Sequence, residues 1–323
     1  MGCGRVGCTR AGALGAARLV ACADRDRGRA TALAAPRAAY VSGDWREVVR
    51  RDDVDIVIVA TLNDSLAEIS AAALGHGKHV LVEKPGARSV AEIDAVIEAQ
   101  RRSGRHVHVG FNHRYHPAMR KAKELSDSGV VGDMMFVRGR YGHGGRPGYE
   151  REWRADPALS GGGELIDQGV HVIDLSRWFL GEFPKVHGTV ETYFWQMPVD
   201  DNAFIWLQTA QRQTAFLHVS CTEWKNLFSF EIYGTRAKLH AEGLGGSYGL
   251  ERLSFHRMLP QMGPPETTMW EYPRGDESWA VEFAEFLDDV RRGRTPAVNL
   301  GDARAALVIV EAIYQESRRA HHA

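Results

Sequence analysis

Two textures divide the chain near residue 113. Before it, short β-branched runs at 18–23 (RLVACA), 55–60 (DIVIVA), 79–82 (HVLV) and 106–110 (HVHVG) alternate with Ala-rich amphipathic stretches at 65–74 and 90–101. Strand, helix and strand joined by short links predict a parallel sheet with helices on both faces. From Met134 onward the period changes, and longer alternating runs occupy 185–195, 202–209, 213–221 and 228–233. In the last run Phe228, Phe230 and Ile232 fall on one side while Ser229, Glu231 and Tyr233 fall on the other. That period of two marks a half-buried antiparallel strand. Gly234-Thr235 and Gly245-Gly246 supply turns. Two helices close the chain at 278–292 and 302–318, the second with Ala306, Ile309, Val310 and Ile313 apolar. The expected class is α/β. Residues 1–113 form a doubly wound domain. Residues 114–323 form an α+β domain with a large, mostly antiparallel open sheet and helices on one side, the last helix packing back towards the first domain.

Composition narrows the class. At 323 residues the chain exceeds the size at which one hydrophobic core stops growing. A formal net charge of -1 leaves no global field to draw in nucleic acid or an anionic membrane, so neither is an expected partner. No stretch approaches the ~20 apolar residues of a membrane helix, and the first residues lack the pattern of a secretory signal. Cys3, Cys8, Cys22 and Cys221 form no C-x-x-C pair. They read as free thiols of a reducing compartment, with no metal site. The cytoplasm is the expected location.

Three motifs carry chemistry. The first is Gly2-Cys3-Gly4-Arg5-Val6-Gly7, a G-x-G-x-x-G running into a helical segment. Its glycines allow a tight turn, close approach of backbone N–H groups to a pyrophosphate, and close helix–sheet packing, as in a Rossmann domain. Asp24 ends the next strand, where a carboxylate can accept from a ribose diol. It could instead cap the helix that follows. The strand that should precede the glycine loop is missing from this sequence. The expectation is that Met1 is not the natural start, and that five to seven further apolar residues upstream would restore solubility and cofactor binding.

The second motif is Glu83-Lys84-Pro85 after the strand at 80–82. Proline holds Lys84 extended beyond the strand's carboxyl end, where open parallel sheets bind ligands. The third is Gly161-Gly162-Gly163-Glu164-Leu165-Ile166-Asp167-Gln168-Gly169-Val170-His171. Asp167 and His171 stand at i and i+4 on one helix face, where a carboxylate can orient an imidazole and raise its basicity. Asp174 adds a turn to that face. Between Tyr141 and Asp156, Tyr141, Trp153 and Arg154 supply the aromatic and arginine content suited to a hydroxylated or anionic ligand.

Together these segments resemble the Gfo/Idh/MocA oxidoreductases, the family of glucose-fructose oxidoreductase and inositol dehydrogenase. The resemblance runs through GCGRVG at 2–7, ATLND at 60–64, GKHVLVEKP at 77–85, GFNHRYHP at 110–117, GGGELIDQGVHVIDL at 161–175 and EIYGT at 231–235. Leu62 stands where many members carry proline. The resemblance implies NAD, or NADP, bound at Gly2, Gly4, Arg5, Val6, Gly7, Asp24 and Arg25, with Thr61, Asn63, Glu83, Lys84 and Asn112 towards the nicotinamide. It implies Lys84, Asp167 and His171 as catalytic residues and a substrate site that adds Arg114, Tyr141, Trp153 and Arg154. It further implies a homodimer or homotetramer assembled through the C-terminal sheet.

The expected reaction moves a hydride between nicotinamide and a carbinol or carbonyl carbon of a sugar, sugar derivative or cyclitol. His171, oriented by Asp167, suits the base, and Lys84 can stabilise the oxyanion or itself be the base. Asp24 favours NAD, while Arg25 could hold a 2′-phosphate. The rival readings are an NAD-dependent glycosidase using transient oxidation, a non-catalytic cofactor-binding regulator, and a purely structural protein. Retention of Lys84, Asp167 and His171 argues against the regulator.

Overall fold

The computed structural model describes residues 1–321. Contacts divide it into two compact units, one of Met1–Phe111, Ala158–Gly161 and Trp279–Leu307, the other of Asn112–Pro157, Gly162–Ser278 and the segment from Val308. Both units are discontinuous in sequence, whereas the sequence division at 113/114 was a single cut.

The first unit opens with α1 (Arg5–Gly12), β1 (Ala21–Ala23), α2 (Arg27–Ala34), β2 (Tyr40–Ser42) and α3 (Trp45–Val49). It continues with β3 (Ile56–Val59), α4 (Asn63–Gly75), β4 (His79–Glu83), α5 (Val90–Ser103) and β5 (Val107–Gly110). β1 pairs in parallel with β2, and β3, β4 and β5 form a second parallel sheet. Val80, Leu81, Val82, Val107 and Val109 are fully buried, as expected of strands covered on both faces. Met1 and Gly2 bridge the two sheets. The Met1 N–H donates to Ile58 O at 2.8 Å, Ala60 N–H donates to Met1 O at 2.8 Å, and Gly2 N–H donates to Ala23 O at 2.9 Å. Along the facing edges of β1 and β3 lies a cavity of about 820 Å³ lined by Leu19, Ala21, Ile56, Ile58, Phe283 and Leu287, among others.

The second unit contains α6 (Pro117–Asp127), β6 (Met134–Gly142), the first residue of α7 (Pro157–Ser160), α8 (Val170–Leu180), β7 (Lys185–Glu191), β8 (Asn202–Gln208) and β9 (Thr214–Ser220). Then come β10 (Leu227–Gly234), β11 (Ala237–Glu242), β12 (Glu251–Arg257) and β13 (Glu266–Tyr272). α9 (Ser278–Arg292) and α10 (Leu300–His321) follow, α9 lying mainly in the first unit and α10 running from one unit into the other. The eight strands are ordered β13-β12-β11-β10-β6-β9-β8-β7. Every neighbouring pair is antiparallel except β6 and β9. Alternation places Ala203, Ile205 and Leu207 of β8 and Phe228, Phe230 and Ile232 of β10 in the core. The other face carries Phe136 stacked on Tyr233, Phe204 stacked on His218, and Phe216, which is 53% exposed.

Candidate active site

In the first unit the glycine motif forms a turn whose last three residues, Arg5, Val6 and Gly7, already belong to α1, and Gly7 packs against the start of the turn. A Cβ on Gly7 would lie 1.9 Å from Gly2 O, so no side chain fits there. At Gly4, which precedes α1, a Cβ would meet nothing within 4 Å, and no side chain caps the helix. The outer side of the loop is therefore open to a ligand, and the unpaired N–H groups of a helix start face it. Asp24 follows β1. Its carboxylate accepts from Cys3 N–H at 2.6 Å and Asp26 N–H at 2.8 Å. The cap of α2 is Asp26, which accepts from Gly28 and Arg29 N–H, so the capping alternative for Asp24 falls away. Arg25 is exposed. Beyond β3, Thr61 Oγ1 accepts from Ser65 at 3.0 Å, and the buried Asn63 donates to Ser160 O at 2.9 Å. Lys84, half-buried, leaves the carboxyl end of β4.

Glu83 faces inward. Its carboxylate accepts from Arg10 Nε of α1 at 2.6 Å, and Arg10 also binds Glu282 of α9. Glu282 in turn meets His108 Nε2 at 3.1 Å, and Trp279 lies 4.4 Å from the Arg10 guanidinium. Burial pushes the Glu83 carboxyl up, with Arg10 opposing. Burial would lift Glu282 as well, but Arg10 and His108 outweigh it and hold it down. The glycine loop's helix and the strand leading to Lys84 are thus tied through one buried arginine. Sequence reasoning missed Arg10, because its partners lie far along the chain.

The second unit presents a different cluster. Before α8 the chain makes a π turn over Leu165–Gly169, which carries Asp167. Such turns are often found at functional sites. Asp200, in the β7–β8 connection, holds its start: the carboxylate accepts from Gly163 N–H at 2.9 Å, Leu165 N–H at 2.8 Å and Tyr314 OH at 2.8 Å. A Cβ on Gly163 would sit 2.0 Å from Asp200 O, which explains the glycine. Burial lifts the Asp200 carboxyl to about 6, against the pull of the donors from Leu165, Tyr314 and Gly163.

Asp167 and His171 are both buried. Arg154 Nε donates to Asp167 Oδ2 at 2.9 Å, and the Arg154 guanidinium lies 4.6 Å from the ring of Trp153. The Asp167 charge raises Arg154 well above the ordinary guanidinium value. Tyr141 at the end of β6 lies edge-on to His171 at 6.0 Å and to His113 at 5.0 Å. Burial raises its phenol. Asn112 donates to Ser278 Oγ at 2.9 Å. Arg114, expected at the substrate, is buried in a two-pronged ion pair with Asp174 of α8, its Nε donating at 2.8 Å. The pair ties the 112–115 turn to α8. The structure thus gathers Tyr141, Trp153, Arg154, Asp167 and His171 in one unit, and adds His113 and Asp200 to them.

Residues 1–111 match the oxidoreductase family model with an NAD-binding Rossmann fold, and 119–240 match the GFO/IDH/MocA C-terminal domain. An inositol 2-dehydrogenase of Rubrobacter xylanophilus is 36% identical over 307 residues, 92% of this chain and 82% of that protein. A levoglucosan dehydrogenase of Pseudarthrobacter phenanthrenivorans is 34% identical over 160 residues, 49% of this chain and 41% of that protein. The chain thus aligns with about half or less of the length of several curated relatives. A solved levoglucosan dehydrogenase in complex with NADH has the same fold, with a TM-score of 0.88 and 24% identity over 98% of this chain and 95% of that one. An NAD-binding Rossmann domain followed by this C-terminal sheet places the chain in the GFO/IDH/MocA oxidoreductase family.

Proposed function

We propose that the protein is an NAD-dependent dehydrogenase or reductase acting on a carbinol or carbonyl carbon of a sugar, sugar derivative or cyclitol. The observation that carries this reading is His171, buried beside Tyr141 at the start of α8, one turn from the Asp167–Arg154 pair. The first unit fits the cofactor. Its glycine loop is open at Gly4, and among the described residues Asp24 accepts two backbone hydrogen bonds, leaving acceptor capacity for a ribose diol. Gly2, Gly4, Arg5, Val6 and Gly7 would hold the phosphates, with Asp24 and Arg25 at the ribose. When bound, the nicotinamide supplies the hydride acceptor or donor. His171 takes the hydroxyl proton, Asp167 orients the imidazole, and Lys84 stabilises the negative charge left on oxygen. Trp153, Arg154 and Tyr141 shape the polyol site.

NAD is preferred over NADP because Asp24 would repel a 2′-phosphate. Asp24→Ala should narrow that preference, and unchanged selectivity would remove Asp24 from the ribose. The relatives named as inositol and levoglucosan dehydrogenases support the substrate class. Residues 1–113 serve the cofactor, and the remainder serves substrate and assembly. The open sheet face, with Phe136 and Phe216 exposed, supports a homodimer or homotetramer. Phe216→Glu should then shift the mass measured by light scattering to the monomer. Among the described residues no helix is long and apolar enough to cross a membrane, in keeping with a cytoplasmic enzyme.

The deciding experiment screens sugars, sugar acids, cyclitols and nucleotide-sugars for reduced nicotinamide by absorbance. Substrate-dependent NADH formation is expected. Glycoside cleavage without net NADH would overturn the reading in favour of the redox-neutral reaction, and NAD binding with no turnover in favour of a regulator.

A further inference from the structure

We propose that His113 is a positioning residue for His171, forming the wall against which the reacting imidazole is held. The two rings lie face to face with centroids 3.8 Å apart and planes 32° from parallel. Both are buried, at 5% and 4% exposure. His113 sits in the short helical turn Asn112–Tyr115 directly after β5. That turn is fixed independently of the stacked rings. Its next residue, Arg114, is paired with Asp174, three residues beyond His171 on α8. Two adjacent residues of the turn therefore meet two positions one helical turn apart on α8. The His113 ring is itself held: Nδ1 lies 3.3 Å from Asn112 Oδ1, Tyr141 meets its edge at 5.0 Å, and Phe228 lies at 5.8 Å.

With His113 across its face and Tyr141 at its edge, the His171 ring has little room to turn about its side-chain torsions. A proton acceptor must keep a fixed direction towards the hydroxyl, and a misplacement of about 1 Å can cost 10²-fold in rate. His113 thus acts on the reaction through His171, and the inference rests on the reading of His171 as the base.

The test compares His113→Ala, His113→Phe and His171→Ala in the full chain, with steady-state kinetics, NADH affinity and the ring signals of ¹⁵N-labelled histidine. His113→Ala should lower kcat about 10- to 100-fold, with NADH affinity and substrate KM little changed. His113→Phe keeps a flat ring against His171 and should recover kcat to within about threefold of wild type. In a His171→Ala background, His113→Ala should cost almost nothing further. The His171 ring signals should broaden or multiply in His113→Ala and stay single in His113→Phe. Unchanged His171 signals in His113→Ala would overturn the proposal whatever the rates. Wild-type turnover in His171→Ala would instead overturn the assignment of the base, and the ring signals would still decide whether His113 holds the imidazole.

Discussion

Arg154 donates from Nε to Oδ2 of Asp167 at 2.9 Å, joining the short helical turn at Trp153–Ala155 to the π turn that precedes α8. Asp167 is buried, whereas a third of the Arg154 side chain remains exposed. The pair is thus a buried carboxylate whose charge is balanced from the solvent side. Arg154→Gln should weaken that balance and loosen the carboxylate. Hydrogen bonds to charged groups contribute about 1.5–3 kcal/mol, and solvent screening of Arg154 places the loss near the lower end. The expected fall in kcat/KM is about tenfold, with NADH affinity unchanged. Steady-state kinetics on the best polyol substrate checks it, and unchanged kcat/KM would confine Arg154 to the surface.

Asp167 and His171 are expected to act as a unit. His171→Ala should lower kcat by about 10²–10⁴-fold, the usual worth of a positioned acid–base group. Asp167→Asn should also lower it by disturbing the imidazole's orientation. The double variant should then be scarcely slower than His171→Ala alone. Fully additive losses would mean that the two residues work separately. Near wild-type rates in His171→Ala would move the base to Lys84.

What could be read from the sequence follows the range of the interactions involved. The strands at 202–208, 214–220 and 227–234 declare themselves by alternation, since one face of each is buried. β2 has only three residues, too few to show a period, and β13 is exposed along most of its length, so it lacks the contrast that marks a strand. The glycine loop and Asp24 are local in sequence and were legible. The π turn was not, because Leu165–His171 fits ordinary helical spacing. The start of that turn is held by Asp200, 35 residues downstream of Leu165. Arg10 was invisible for the same reason: Glu83 and Glu282 lie 73 and 272 residues away. The Arg114–Asp174 pair was hidden likewise, because a motif names a residue type at a position and says nothing of a partner 60 residues away.

Arg10 yields a stability prediction. It is 2% exposed and faces two buried carboxylates, Glu83 and Glu282. Removing one partner of a buried ion pair costs about 3–5 kcal/mol, because the charge left behind stays uncompensated. Arg10→Met should therefore lower the unfolding free energy by roughly that amount and, since α1 follows the glycine loop, weaken NAD binding. Replacing Glu83 and Glu282 by Gln in the same chain should recover part of the stability. Denaturant unfolding measures both. A loss below about 1 kcal/mol would mean that water reaches the cluster.

Asp200 sets a pH dependence whose sign is fixed by burial. Its carboxyl lies at about 6 in the folded chain against about 3.9 when unfolded. Between these values the folded protein binds the proton more tightly than the unfolded one, so stability from this group falls as pH rises. The contribution is most favourable below about pH 4 and is lost on passing upward through about 6, a span of roughly 3 kcal/mol. Asp200→Asn lacks this titration, although it also disturbs the hydrogen bonds from Gly163, Leu165 and Tyr314. Other carboxylates titrate alike in both proteins and cancel in the difference. The unfolding free energy of wild type minus that of Asp200→Asn should therefore increase as pH is lowered from 7 to about 4. A flat difference would mean that the three donors hold Asp200 near the ordinary carboxylate value. A difference that shrinks towards acid would mean that the ionised form is the one the fold prefers, making the clamp on Gly163 and Leu165 a net source of stability at neutral pH.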